Sequence, residues 1–217
     1  MRTNPWLEKS KLNLIPLSLA DEFIEALKEW TFTGEVQDYG DATEDCELCE
    51  HPELRYHFEI QNEIKKSSLW VGSSCILRFQ EIGVFDEDGN RLIDKSSRSK
   101  ELNRMLKKAL EDKMLAPLRK LWKARDRNSD ERLFIERAVR NYKLQSAFTP
   151  IELLNLFKFL DSSNISYDPK NYKISLRSDD NKYSIYSMSN DDLQLIRPCF
   201  TNEQMKKHTA LISKNSC

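Results

Sequence analysis

Apolar residues in the N-terminal part of the chain recur first at helical spacing and then at strand spacing. Between residues 17 and 30 they lie three or four positions apart, which predicts a helix with Ser18 as its N-cap. Trp30–Val36 and Leu54–Gln61 then alternate between apolar and polar positions, and Ser68–Val71 follows them closely. Because alternation with a period of two is typical of half-buried strands, we expect three strands in this part of the chain.

The middle of the chain has the pattern of a hairpin followed by basic helices. Val84–Asp94 has apolar ends around Asp86–Asn90, a run of turn-forming residues, and therefore predicts a hairpin. Apolar residues between 96 and 127 recur at helical spacing, but Pro117 lacks the amide hydrogen that a helix interior uses. We therefore expect one helix to end near Leu115 and a second to begin directly after it.

Two helices are predicted in the next part of the chain. Asp130–Lys143 has apolar residues at helical spacing. Thr149, Pro150 and Glu152 supply a cap, a proline at the first helical position and a glutamate three residues after the cap. This combination is typical of a helix start, so we expect a capping box at Thr149.

The C-terminal part is predicted to contain a third hairpin and two short helices. Tyr172–Tyr186 alternates between apolar and polar positions on both sides of the polar segment Arg177–Lys182, which indicates two strands and a turn. Ser189 or Asn190 is expected to cap the first of these helices, and Thr201 the second.

These elements predict an α+β protein. We expect an α+β domain at 1–95, a mainly helical basic region at 96–162 and a small α/β unit at 163–217, made of a hairpin and two helices. The chain has 217 residues, which allows one large domain or two small ones. Only 5 of these residues are glycine, and this scarcity favours helix over an all-β fold rich in turns.

The charge is distributed unevenly although the net charge is only −1. Residues 1–94 contain 20 acidic and 9 basic side chains, whereas residues 95–127 contain 4 and 12. A basic segment of this density indicates where an anionic partner could bind. The chain shows neither the apolar run of a secretory signal nor a stretch long enough to span a membrane, so we expect a soluble, cytoplasmic protein without a membrane partner.

Three of the 5 cysteines have a spacing typical of a metal site. Cys46 and Cys49 form a C-x-x-C pair, and Cys75 follows 26 positions after Cys49, beyond the predicted Leu54–Val71 hairpin. A C-x-x-C turn directs two sulfurs at one ion, and a hairpin of this length brings a third cysteine beside it. Zinc binds such ligands tetrahedrally at roughly 2.0–2.3 Å. We expect a structural zinc site; the alternative is free thiols on an acidic loop and a buried core cysteine.

The sequence leaves the fourth zinc ligand open. His51 lies two residues after Cys49 and is the preferred candidate. His57 lies in the predicted second strand, on the face opposite Phe58, and is a second candidate. A carboxylate, a remote cysteine and a water molecule are the other candidates, and water would leave the site open in the manner of catalytic zinc centres.

The same segment resembles a known type of module. The sequences C-E-L-C, L-R-Y-H-F-E-I-Q-N and L-W-V-G-S-S-C-I begin at Cys46, Leu54 and Leu69. Together they resemble a zinc-ribbon or treble-clef-like module of poorly characterised bacterial and phage proteins. The resemblance covers residues 30–80 and implies zinc binding by the three cysteines, with no enzymatic activity. Such modules often have glycine after the second cysteine, where this chain has Glu50.

The basic helices suggest a nucleic-acid interface. Lysine and arginine side chains along a helix can follow phosphates and bind them in a salt-dependent way that does not depend on base sequence. The alternative is a solvated helix face that neutralises the acidic N-terminal half. The candidate nucleic-acid-binding residues are Arg98, Lys100, Arg104, Lys107, Lys108, Arg119, Lys120 and Lys123.

The sequence therefore supports three functional hypotheses. The first is a non-enzymatic zinc-binding accessory protein that associates with nucleic acid and derives from a phage or mobile element. The second is an adaptor or inhibitor that docks on a protein partner through its acidic N-terminal half. The third is a metal-dependent nuclease, which is the weakest because the chain has 3 histidines and none of the common phosphate-binding or metalloprotease motifs.

Overall fold

The computed structural model describes residues 4–209. The chain divides into two compact units, Met1–Leu110 and Glu111–Cys217, and each is described by itself. Helices account for 54% of the described residues and strands for 13%, with β1–β3 in one antiparallel sheet, so the α+β fold class is confirmed.

The described residues 4–209 form nine α-helices and three β-strands. The helices are α1 (Pro5–Leu14), α2 (Phe23–Lys28), α3 (Ser73–Arg78), α4 (Lys95–Lys123), α5 (Asp130–Gln145), α6 (Pro150–Ser162), α7 (Asp179–Tyr186), α8 (Asn190–Ile196) and α9 (Asn202–Lys207). The strands are β1 (Trp30–Asp38), β2 (Tyr56–Asn62) and β3 (Ser68–Val71). Short 3-10 turns occur at Ile15–Leu17, Pro169–Asn171 and Arg197–Cys199. None of the helices within residues 4–209 is both long enough and apolar enough to cross a bilayer.

The sheet of the first unit contains the three predicted strands in the order β1-β2-β3, all antiparallel. Ile60 in β2 lies opposite Phe32 in β1 and Leu69 in β3. The register shifts between Phe32 and Val36, where Gly34 has a φ of 91°. A Cβ at Gly34 would also lie 2.9 Å from the terminal methyl of Met105, which would have to move, so the backbone conformation is the main requirement for glycine there.

One face of this sheet packs against helices to form the core of the first unit. Trp30, Ile60 and Val71 from the strands join Leu27 from α2 and Ile76 from α3 in one buried apolar cluster. Burying these side chains provides most of the unit's favourable free energy of folding, at about 1.5–3 kcal/mol for each large residue.

The predicted helix over residues 17–30 is wrong at its start. α2 begins only at Phe23, and Ser18 has an extended backbone. The Ser18 hydroxyl donates to the Leu14 carbonyl at 2.9 Å and accepts the Trp30 indole N–H at 2.8 Å. The carboxylate of Glu29 accepts the next two backbone amides, each at 2.8 Å. These tertiary hydrogen bonds satisfy the groups that a longer helix would have used.

The predicted hairpin at Val84–Asp94 is reduced to one antiparallel bridge between Phe85 and Arg91. The turn itself forms as expected, because the Asp86 carboxylate accepts the backbone N–H groups of Asp88 and Asn90 at 3.0 and 2.8 Å. Since no ladder extends from this bridge, the segment is a loop closed by its own turn.

The predicted helix break near Leu115 is wrong, because α4 continues through Pro117. In the second unit, α4 buries Met114, Leu118 and Leu121. Burial of this apolar side offsets the single backbone hydrogen bond that proline cannot make.

Helices form the core of the second unit, and one of them, α6, begins with the predicted capping box. The Thr149 hydroxyl accepts the Glu152 N–H at 3.2 Å, and the Glu152 carboxylate accepts the Thr149 N–H at 2.9 Å. The predicted helices at Asp130–Lys143 and after Ser189 and Thr201 are also confirmed.

The third predicted hairpin is wrong. Tyr172–Leu176 is extended and makes a parallel bridge between Phe148 and Ile174, but its predicted partner strand is helix α7. Ser178 caps this helix by accepting the Asn181 N–H at 3.2 Å. The hydroxyl of Tyr172 donates to the Met114 carbonyl at 3.0 Å. Residues on both sides of the expected boundary at 162/163 therefore belong to one core.

Candidate metal centre

The segment between β1 and β2 forms a tight turn that contains Cys46 and Cys49. The Glu50 N–H donates to the Cys46 carbonyl at 2.7 Å, and the Cys46 N–H donates to the His51 carbonyl at 2.9 Å. Glu50 has a φ of 56°, in the left-handed region that glycine adopts most readily. The turn thus forms without glycine at this position, with local backbone strain at Glu50.

Helix α1, which was not predicted from the sequence, supports this turn. The Asn13 side-chain amide donates to the Leu48 carbonyl at 3.2 Å and lies 3.4 Å from the Glu50 carboxylate, which also pairs with Lys9 at 2.7 Å. Pro5, at the first position of α1, is the local signal that identifies the start of this helix.

Backbone hydrogen bonds connect the cysteine turn to the sheet. The Glu47 N–H donates to the Trp70 carbonyl at 3.1 Å, and the Trp70 N–H donates to the Glu47 carboxylate at 2.5 Å. Glu44 and Leu54 exchange two backbone hydrogen bonds, at 3.2 and 2.7 Å. The segment from Glu44 to Glu47 is therefore hydrogen-bonded both to β3 and to the residues just before β2.

Cys75 reaches the same place from the other end of the β2–β3 hairpin. It lies in the first turn of α3, and its N–H donates to the Gly72 carbonyl at 3.0 Å. A Cβ at Gly72 would lie 3.0 Å from the Leu54 side chain, so glycine permits the close approach of this segment to the start of β2. The short path from β3 into α3 positions the Cys75 thiol opposite the C-x-x-C turn.

The three sulfur atoms converge. The Cys75 sulfur is 3.7 Å from that of Cys46 and 3.3 Å from that of Cys49, and all three lie within 4.8 Å of one another. Tetrahedral zinc with Zn–S bonds of 2.3 Å places its sulfurs about 3.8 Å apart. All three cysteines are buried and none forms a disulfide. The arrangement is compatible with one bound metal ion.

Hydrogen bonds favour a thiolate at Cys46. The hydrogen bond with Cys75 and the backbone N–H of Gly72, which donates to the Cys46 sulfur at 3.4 Å, lower the pKa of Cys46 to about 5. The hydrogen bond with Cys46, together with burial, raises the pKa of Cys75 well above its ordinary value. The cluster thus stabilises one negative charge by itself, and a metal ion is needed to hold all three sulfurs as thiolates.

The structure places neither candidate histidine in the sulfur group. His51 is exposed and lies outside the sulfur group, in the wall of a cavity beside the three cysteines. Its role as a metal ligand therefore stays a prediction. His57 is buried, and its ring packs edge-to-face on Tyr39 with 5.2 Å between ring centroids. Neither ring nitrogen of His57 has a hydrogen-bond partner within residues 4–209.

Arg98 departs most clearly from the predicted nucleic-acid interface. Its side chain is fully buried, so it cannot contact a phosphate. The guanidinium donates to five backbone carbonyls, at distances of 2.6 to 3.5 Å. These carbonyls belong to Ile76, Phe79, Gln80, Ile82 and Leu92. Arg98 is therefore a structural residue that joins α4 to the chain around α3.

The other predicted basic residues are exposed but are not equally available. Arg104 pairs with Glu101 at 2.6 Å and also contacts Glu87, and Arg119 pairs with Asp112 at 2.6 Å. The remaining lysines form no ion pair with any residue in the described range 4–209. These lysines are Lys100, Lys107 and Lys108 in the first unit and Lys120 and Lys123 in the second.

Comparison with protein-family models, curated proteins and solved structures finds no match to this chain. The protein is therefore characterised by its own fold and site: it is a two-unit α+β chain with a three-cysteine candidate metal site in its first unit.

Proposed function

We propose that this chain is a zinc-binding accessory protein that associates with nucleic acid through lysines of α4. The convergence of Cys46, Cys49 and Cys75 is the observation that carries the proposal. In the proposed site, the ion connects the C-x-x-C turn to the start of α3 and thereby organises the first unit.

The ligand chemistry favours zinc. Three thiolates are soft donors, and a tetrahedral sulfur-rich set is the arrangement that zinc adopts in structural sites. A C-x-x-C turn before a hairpin, with the third cysteine in the first turn of a helix, also supports a treble-clef-like arrangement. The resemblance of the segment to such modules agrees with this interpretation.

Metal analysis of purified variants tests the zinc site. Wild type should contain one zinc per chain, and Cys75→Ser should lose it because a hydroxyl is a poor replacement for a thiolate ligand. Cys199→Ser is the matched control, since Cys199 is also buried but lies in the second unit. Equal zinc content in both variants would contradict the proposal.

The exposed lysines of the first unit support the nucleic-acid interface. Lys100, Lys107 and Lys108 occupy positions i, i+7 and i+8 of α4 and therefore share one helix face. No carboxylate within the described residues neutralises them. Such a face can contact phosphates without specifying base sequence.

A salt titration of duplex DNA binding tests this interface. The slope of log affinity against log salt is negative. Reversal of Lys100, Lys107 and Lys108 to glutamate should reduce its magnitude by about 3, since each lost phosphate contact removes about 1. Reversal of Lys173, Lys206 and Lys207 gives the same change of net charge on other exposed positions and should leave the slope nearly unchanged. Absence of binding at low salt, or equal slopes for the two variants, would contradict the interface.

A further inference from the structure

A cavity of about 390 Å³ adjoins the three sulfurs. Cys46, Cys49 and Cys75 all form part of its wall, together with side chains from α1, α3 and α4. The cavity lies entirely within the first unit. A small molecule in this space would therefore be next to any ion that the cysteines hold.

The described residues supply the cluster with three ligands. Zinc in a tetrahedral site needs a fourth, and no histidine, aspartate or glutamate side chain within residues 4–209 shares the sulfur group. The backbone N–H of Gly72, 3.4 Å from the Cys46 sulfur, is a hydrogen-bond donor and cannot bind a cation. The cavity is the open space beside the sulfurs from which a fourth donor can approach the ion.

The charge of the site favours a neutral donor. Three thiolates with one divalent ion give a net charge of −1, and an anionic fourth ligand would make it −2. The two arginines in the wall offset this negative charge only in part. Arg55 is paired with Asp38 at 2.8 Å, and the Arg78 guanidinium lies 3.9 Å from the centre of the Trp6 ring. Glu53, also in the wall, disfavours a second anion.

The wall also favours a ligand with an apolar body. Leu54, Leu77 and Leu106 line the cavity beside the polar side chains of Ser99 and Asn103. A flat heterocycle with one basic nitrogen combines an apolar surface with a borderline donor that zinc binds well. Imidazole has this chemistry, and so does the side chain of His51 in the same wall.

We propose that an ion held by Cys46, Cys49 and Cys75 keeps its fourth position open to this cavity, where a small molecule supplies a neutral, imidazole-type nitrogen. The inference rests on the zinc site proposed above. The exposed position of His51 outside the sulfur group favours an external source of the nitrogen over this side chain. On binding, the nitrogen replaces a water molecule on the metal, and the three sulfur bonds are unchanged.

Cobalt(II) substitution provides the test, because tetrahedral thiolate-bound cobalt has strong visible absorption that responds to its fourth ligand. The protein is loaded with cobalt under TCEP, since a thiol reductant would compete for the same position, and is titrated with imidazole. Wild type and His51→Ala should both show saturable spectral changes, with half-saturation concentrations that agree within about twofold.

Three results separate the possible failures. If no cobalt binds, the metal site itself is contradicted. If wild type does not respond while His51→Ala has an altered spectrum that imidazole restores, His51 is the fourth ligand and the open position is wrong. If neither protein responds and their spectra are equal, another ligand closes the site and the inference is also wrong.

A variant of the wall tests the route through the cavity. Asn103 is exposed and lines the cavity from α4, so Asn103→Trp should leave cobalt bound and weaken imidazole binding by at least about tenfold. Lys95→Trp places the same side chain at an exposed position two turns away on α4, outside the wall, and should have no such effect. Equal affinities for imidazole in the two variants would show that ligands do not enter by this cavity.

Discussion

Replacement of Arg98 by methionine should strongly destabilise the first unit. The guanidinium is fully buried and donates to five backbone carbonyls. Two of these hydrogen bonds are short and fully buried, at 2.6 Å to Ile76 and 2.9 Å to Ile82. Methionine fills much of the same space but leaves every one of these carbonyls without its donor.

The size of the effect follows from these contacts. A hydrogen bond from a charged group contributes about 1.5–3 kcal/mol, and a buried carbonyl left unpaired costs about 1–3 kcal/mol. Removal of the large desolvation penalty of the guanidinium offsets part of this loss. From the two short bonds we expect Arg98→Met to lower the free energy of unfolding by about 4 kcal/mol. Arg98→Lys keeps the charge but has fewer donors, so we expect about 2 kcal/mol.

Arg104→Met is the matched control. Arg104 is on the same helix, but it is exposed and pairs with the carboxylates of Glu87 and Glu101. Its replacement should leave the unfolding free energy nearly unchanged, because solvent screens an exposed ion pair. Denaturant-dependent hydrogen exchange of the β2 amides measures the stability of the first unit separately from the second. If Arg98→Met and Arg104→Met lower the unfolding free energy equally, the structural role of Arg98 is refuted.

Three further variants or measurements test local features. Glu50→Gly should be more stable than Glu50→Ala by about 1 kcal/mol, since both lose the carboxylate contacts with Lys9 and Asn13 but glycine alone adopts the left-handed backbone without strain; equal urea midpoints would argue against that strain. Pro117→Ala should stabilise the second unit by about 2 kcal/mol, because it restores a helix amide, and an unchanged midpoint would contradict this. Burial raises the pKa of Cys199 to about 12, so iodoacetamide at pH 8 should modify this thiol roughly 1,000-fold more slowly in the folded than in the unfolded protein, and equal rates would refute its burial. Because folding raises this pKa from 9.0, the thiol favours the folded state fully below about pH 9, and the benefit is lost as the pH rises towards 12.

The strands and the cysteine turn could be predicted because their signals are local. Alternation in Leu54–Gln61 directly reflects one buried and one more exposed face of β2, and the C-x-x-C spacing encodes a turn. The capping box at Thr149 is likewise contained in four consecutive residues. Such features depend little on the rest of the chain.

The environments of Ser18 and Arg98 could not be predicted, because their partners are distant in sequence. Ser18 is a good helix cap in isolation, but Trp30 occupies its hydroxyl. Arg98 has the same charge as its exposed neighbours, and only the carbonyls that surround it show that it is buried. Local pattern does not distinguish a basic residue that faces solvent from one that joins loops.

The wrong hairpin in the second unit has a different cause. Tyr172, Ile174 and Leu176 are all buried, as the alternation predicts, but the segment after them is helical. Ser178, followed by two aspartates in the first turn of α7, was a local helix signal that the apparent alternation of Tyr183 and Ile185 obscured. Start signals of this kind are more informative than alternation over four residues.

X-ray absorption at the zinc edge of the purified protein is the decisive test of the three-cysteine site, because it counts the sulfur atoms bound to the metal. We expect three sulfurs at about 2.3 Å and one lighter donor atom at about 2.0 Å. A zinc shell of nitrogen and oxygen alone, or a purified protein without bound metal, would contradict it.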